Sequence, residues 1–141
     1  HRYSSAASDV YKRQELKENY FYRGTLRVAA GQDLPLTPDV KYNINLDYEV
    51  NENSFGQINY TFTDEMFNSD VFLGTREIQD SYSIVNASWT LVRGNKQLQF
   101  YVNNLTDETA ELGRNYEDYV DLITVNRPRS IGIKFSWLLD K

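Results

Sequence analysis

Residues 40–50 read VKYNINLDYEV. Val40, Tyr42, Ile44, Leu46, Tyr48 and Val50 alternate strictly with Lys41, Asn43, Asn45, Asp47 and Glu49. Successive side chains of a strand point to opposite faces, so this pattern predicts a strand with one apolar and one polar face; a helix would scatter the same residues around its circumference. Residues 55–63 repeat it, with Ile58, Tyr60 and Phe62 opposed to Gln57, Asn59, Thr61 and Thr63. Phe55 breaks the alternation and is expected at the membrane interface beside a turn. A third strand is predicted over 83–92, where Val85, Ala87, Trp89 and Leu91 share a face and Ile84 opposes them. In the fourth, 97–103, Leu98, Phe100 and Val102 alternate with Gln97, Gln99, Tyr101 and Asn103. The fifth, about 129–137, sets Ile131, Ile133, Phe135 and Trp137 against Gly132, Lys134 and Ser136.

The connections sort into two kinds. Residues 51–54 (NENS) and 93–96 (RGNK) read as tight polar turns. The alternate connections, 64–82 and 105–128, are expected to be long loops. Short turns at one end and long loops at the other is the asymmetry of an outer-membrane barrel. Strands of about 9–11 residues suffice to cross a bilayer when tilted. Lipid offers no partner to unpaired backbone groups, so only a closed barrel holds such strands there. Within residues 15–39, 19–23 is expected to finish an earlier strand, and 31–39 (GQDLPLTPD) must be loop because it carries two of the three prolines.

Composition sharpens this picture. The 141 residues include 11 tyrosines and 14% aromatics, yet the mean hydropathy is −0.61. Aromatics dispersed among Asn, Asp, Glu and Lys suit a sheet with one greasy and one wet face. The net charge of −5 and pI near 4.9 argue against nucleic acid as a partner. Without cysteine the chain has no disulfides and no thiolate metal sites. The first residue is His1, and no apolar run resembles a signal peptide or a helical span, so the chain is expected to have lost its beginning. Residues 1–14 (HRYSSAASDVYKRQ) lack a clear period and resemble a translated cloning or linker sequence, and are therefore set apart from the fold.

Four segments, in order, are similar to the end of TonB-dependent receptors. Residues 34–48 (LPLTPDVKYNINLDY) resemble that family's "LP–x–x–P" loop and the strand after it. Residues 81–89 (SYSIVNASW) resemble its antepenultimate strand, 101–108 (YVNNLTDE) its "V–x–N–L–x–D" segment, and 126–137 (NRPRSIGIKFSW) its closing "PR…G" strand. The resemblance implies an all-β fold: the last five or six strands of an antiparallel, up-and-down transmembrane barrel of about 22 strands, spanning residues 15–141. It also implies import of a scarce nutrient (siderophore, cobalamin, haem or glycan) across the bacterial outer membrane. Implied partners are outer-membrane lipid, the receptor's own N-terminal plug domain, the TonB energy-coupling protein and the barrel-assembly machinery. Neither the plug nor the coupling motif lies in this chain.

On the barrel reading, Val40, Tyr42, Ile44, Leu46, Tyr48, Val50, Ile58, Tyr60, Phe62, Val85, Trp89, Leu91, Leu98, Phe100, Val102, Ile131 and Ile133 face lipid. Lys41, Asn43, Asn45, Asp47, Glu49, Gln57, Asn59, Gln97, Gln99 and Lys134 face the lumen, where they meet the plug or water alike. Gly132, Phe135 and Trp137 are similar to the terminal signal read by the assembly machinery, an edge strand with spaced aromatics that invites strand addition. Here Leu138 to Lys141 extend beyond the last aromatic.

No catalytic set stands out, since the single histidine lies in the segment set apart and no Gly-rich phosphate loop or metal-spaced cluster occurs. No enzyme activity and no cofactor is expected. Acidic residues gather in the long connections: Asp64, Glu65, Asp70, Glu77 and Asp80, then Glu108, Glu111, Glu117, Asp118 and Asp121. They read as solvated loop charge. A passive porin-like channel and a soluble β-sheet binding module are the alternatives to the receptor.

Overall fold

The computed structural model describes residues 7–12, 16–34, 36–70, 75–117 and 120–139. These form twelve strands: β1 (Ala7–Lys12), β2 (Tyr20–Tyr22), β3 (Thr25–Val28), β4 (Val40–Asn51), β5 (Ser54–Thr63), β6 (Met66–Asp70), β7 (Thr75–Gln79), β8 (Tyr82–Arg93), β9 (Lys96–Asn103), β10 (Glu111–Glu117), β11 (Val120–Val125) and β12 (Ser130–Trp137). The described residues contain no helix.

All five predicted strands are present and belong to one antiparallel sheet of six, ordered β1-β4-β5-β8-β9-β12. Strands adjacent along the chain between β8 and β9 are adjacent in space, as in an up-and-down barrel wall. Among the described residues the sheet does not close, and β1 and β12 form its two edges.

Two expectations need correction, and a further strand lies in the segment set apart. Residues 19–23 do not end an earlier barrel strand: Tyr20–Tyr22 pairs with Thr25–Val28 in a separate hairpin. Its turn residues Arg23 and Gly24 have φ of 51° and 77°, the left-handed pair that a tight two-residue hairpin needs. The two long connections are not irregular either; they carry the hairpins β6–β7 and β10–β11. Their side chains alternate poorly in polarity, so periodicity alone does not show them. Finally, the segment set apart at the N-terminus contributes a strand, Ala7–Lys12, paired with residues 40–45 of β4. Residues 1–6, 13 and 14 of that segment lie outside the described residues.

The register turns the alternation into two faces. Directly opposed residues share a face. The row Leu46, Ile58, Ala87, Val102, Ile131 runs unbroken across β4, β5, β8, β9 and β12. Beside it runs Tyr48, Gly56, Trp89, Phe100, Ile133. With one exception, every residue assigned to the apolar face from sequence holds a paired position in these rows or in the rows beside them. The exception is Val50, which falls in a bulge between Glu49 and Asn51 and has no cross-strand partner in the register. Phe55 also departs from expectation: opposite Glu49 and Thr90, it lies on the polar face and not at the apolar rim.

No second layer among the described residues covers the apolar face. Among the described residues the buried hydrophobic side chains are Met66 and Ala110 alone, both in the long connections. Leu46, Ile58 and Tyr48 are about half exposed, and Ile131 reaches 80%. A soluble domain packs its apolar sheet face against another layer, and none of the described residues packs there. The aromatics sit toward the ends of that face. Tyr42, Tyr60 and Phe62 cluster near the long-loop end, with Tyr42 and Phe62 stacked at 5.1 Å between ring centroids. Trp89, Phe135 and Trp137 lie toward the turns, and the middle row is aliphatic. Aromatic girdles around an aliphatic band are the outer surface of a transmembrane barrel. Along β4, the ten steps from Val40 to Val50 span about 33 Å of strand, or a height of about 25 Å at a tilt near 40°, which matches the apolar band of such barrels.

Candidate functional site: a polar wall and the loop base above it

The face opposite the apolar one is a hydrogen-bonded wall. Lys41, Asn43, Asn45, Asp47 and Glu49 of β4 stand opposite Thr63, Thr61, Asn59, Gln57 and Phe55 of β5. Asn59 is the centre: its Nδ2 donates to Asn45 Oδ1 at 2.6 Å and to Asn43 Oδ1 at 2.9 Å. Asn43 Nδ2 in turn donates to Thr61 Oγ1 at 2.8 Å, and Gln57 Nε2 to Asp47 Oδ1 at 2.9 Å. Asn86 of β8 extends the network toward Asn59 at 3.4 Å. Beside these residues a shallow depression is floored by Asn45, Asp47, Gln57, Asn59, Asn86, Ser88, Tyr101 and Asn103. The ten residues expected on the lumen side all lie on this face, Gln97, Gln99 and Lys134 included. Amides dominate it, so it offers donors and acceptors together with little net charge. Such a wall suits contact with a polypeptide or with ordered water.

Tyr101 was not singled out from sequence, yet it shapes this face. It lies directly opposite Gly132, and a Cβ at position 132 would come within 2.4 Å of the tyrosine ring. The ring therefore fills the space over the glycine. This gives Gly132 a packing role on the polar face, while Phe135 and Trp137 point to the apolar one. The three residues of the expected assembly signal thus divide between the two faces. A matching arrangement occurs on the other side, where Trp89 covers Gly56 and a Cβ there would meet the indole at 2.7 Å.

At the long-loop end, two asparagines tie down the base of the connection from β9 to β12. Asn104 is buried, at 3% exposure, and its φ of 52° is left-handed, which asparagine tolerates better than most residues. Its Nδ2 donates to the carbonyls of Glu108 and Arg127, its Oδ1 accepts from the Glu108 amide, and its own amide donates to Asn86 Oδ1 at 2.9 Å. Asn126 does the same from the other side: its Nδ2 donates to the Glu108 carbonyl at 2.9 Å and its Oδ1 accepts from the Ala110 amide at 2.8 Å. Asp107 caps the Arg129 amide at 2.8 Å and pairs with its guanidinium at 3.6 Å. Both motifs singled out in sequence, YVNNLTDE and NRPR, meet here, so their polar residues build the mount of the β10–β11 hairpin. Gln79 of β7 is buried and reaches the Glu111 carbonyl, which joins the two loop hairpins.

Among the described residues no three His, Cys, Asp or Glu side chains are placed to hold a metal ion. Glu111 is engaged with Arg114 at 3.0 Å. Asp118 lies outside the described residues.

No protein-family model and no curated protein matches the chain. Solved structures do. The siderophore receptor PiuA from Acinetobacter baumannii superposes with a TM-score of 0.70 over 92% of this chain, at 18% identity. The ferric-catecholate import receptor Fiu from E. coli K12 matches in its closed form with a TM-score of 0.63, 21% identity and 79% coverage. Its open form gives 0.59, 20% and 70%. This chain spans 15–18% of the length of those receptors. In fold, the chain is therefore a stretch of antiparallel strands of the kind found in TonB-dependent siderophore receptors, as its motifs implied.

Proposed function

We propose that this chain is the C-terminal barrel portion of an outer-membrane receptor that binds and imports a scarce nutrient with energy relayed from the inner membrane. The observation that carries the membrane reading is the continuous, uncovered apolar face backed by a predominantly polar one. An exposed apolar surface of that extent is unstable against water, and the 25 Å band suits lipid. The polar wall would then face the barrel lumen and meet the plug through its amides. The mounted β10–β11 hairpin would stand at the outer mouth, where ligands are first met. Likeness to Fiu and PiuA favours an iron-siderophore complex over cobalamin, haem or glycan as the cargo. The N-terminal segment 1–14 remains assigned to a linker of foreign origin, its pairing with β4 occupying an edge that a preceding barrel strand would otherwise take.

The test is genetic and functional. The full-length gene carrying this chain is expressed in a strain lacking its own siderophore receptors, under iron limitation. Growth restored by one ferric siderophore, and lost when the energy-coupling protein is deleted, supports the receptor. Uptake that persists without energy coupling supports a passive channel instead. A full-length protein that folds in water without detergent excludes both.

A further inference from the structure

We propose that Arg93, Lys96 and Trp137 form a binding site for the phosphate group of a glycerophospholipid in the periplasm-facing leaflet. The inference rests on the reading that the apolar face lies in the bilayer. The turn between β8 and β9 is a two-residue loop, Gly94-Asn95, with Gly94 at φ 57°. The residues that close it, Arg93 and Lys96, stand directly opposite each other. Trp137 stands directly opposite Lys96 on the other side. The three therefore form one row across β8, β9 and β12, on the apolar face, immediately below Leu91, Leu98 and Phe135.

Like charges directly opposed in a sheet repel, and here both are exposed at the rim of an apolar surface. Among the described residues neither pairs with a carboxylate. An anion between them removes the repulsion. A guanidinium and an ammonium on either side of a phosphate make charge-assisted hydrogen bonds, and the guanidinium is suited to two at once. The Lys96 ammonium also sits 5.3 Å from the centroid of the Trp137 ring, so the indole holds one cation in place and marks the depth where ring and headgroup meet. The row is braced from behind. Asn95 Nδ2 donates to the Leu138 carbonyl at 2.8 Å, and the Leu138 amide donates to the Asn95 carbonyl at 2.9 Å. The residues just past the last aromatic thus lock β12 to the turn that carries the cations. The leaflet follows from the connections, because the short turns of such barrels are periplasmic. Acyl chains of the same lipid would lie along Leu91, Leu98 and Phe135.

The test uses the full-length protein purified in a phosphate-free maltoside detergent and measures retained phosphatidylglycerol by native mass spectrometry. Folding is checked by the change in gel migration on boiling. Wild type should retain the lipid, and R93Q/K96Q should retain about thirtyfold less, since each cation near an anionic surface contributes about fivefold. The variant K17Q/R127Q, which removes the same charge outside this row, should behave as wild type. Equal retention by R93Q/K96Q overturns the site. So does equal retention of dioctanoylglycerol, which has acyl chains and no phosphate. A protein that never acquires a heat-sensitive fold in detergent overturns the bilayer reading and the site with it.

Discussion

Leu46→Arg separates a lipid-facing from a water-facing sheet more cleanly than any other single change. Leu46 lies in the aliphatic middle row, opposite Ile58, and is 49% exposed, with none of the described residues packed over it. If water covered that face, replacing a half-exposed leucine by arginine would alter stability by no more than about 0.5 kcal/mol. In a bilayer the same guanidinium sits near the midplane of the hydrocarbon, and the cost is about 2–4 kcal/mol. At 1.4 kcal/mol per tenfold, that lowers the folding equilibrium constant by about 30- to 700-fold. The control lies at the same depth on the other face. Gln57 is opposite Asp47 and already donates to its carboxylate, so Gln57→Arg keeps a partner and gains an opposite charge. Its effect should stay within about 0.5 kcal/mol. Both variants of the full-length protein are folded into vesicles and unfolded with denaturant, following tryptophan fluorescence. A large loss for Leu46→Arg with none for Gln57→Arg is expected. Two equal small effects, or a larger one at position 57, would refute the assignment of faces.

Three further outcomes follow from the geometry. Gly132→Val should lower stability by about 1–3 kcal/mol by driving the Tyr101 ring off the strand, and most of that loss should vanish in a Tyr101→Ala background, as a double-mutant cycle by chemical denaturation would show. Gly56→Ala should displace the Trp89 indole and shift its emission, with the Trp137 signal removed beforehand by Trp137→Phe. Asn104→Ala should cost about 1–3 kcal/mol locally, since it leaves the part-buried Glu108 amide and the Arg127 carbonyl unpaired, removes one of the two donors to the Glu108 carbonyl, and loses a residue suited to positive φ. The signature is faster proteolysis within residues 105–129 while the strand core stays protected.

The five-strand frame was legible because its signal is local. Alternation over residues 40–50 needs no knowledge of a partner, and the turns at 51–54 and 93–96 declare themselves by composition. Register then adds what periodicity cannot. The bulge at Val50 removes it from the apolar row, because an extra residue in one strand leaves no opposite position for it. Phe55 reads as an interfacial aromatic from its type, yet pairing with Glu49 and Thr90 puts it on the polar side. The loop hairpins were illegible for a different reason. Short strands such as 66–70 and 75–79 form a two-stranded sheet separate from the six-stranded wall, so neither face is selected for lipid or for lumen. The polar network was half visible: Asn43, Asn45 and Asn59 follow from alternation. Asn104 and Asn126 sit outside any strand, and only their shared acceptor, the Glu108 carbonyl, shows what they do. Motif resemblance pointed to both positions, and the hydrogen bonds supply the physical reason.

This chain has no cysteine, so single cysteines introduced into it one at a time, in a full-length protein whose other cysteines are replaced by serine, make the central claim directly measurable. Spin labels placed at each position from 40 to 49 in the full-length protein, reconstituted in vesicles, report access to oxygen and to a water-soluble nickel chelate. The account predicts a period of two, with positions 40, 42, 44, 46 and 48 open to oxygen and closed to nickel, and the positions between them reversed. Even-numbered positions open to nickel, or no alternation at all, would contradict a sheet with one face in lipid.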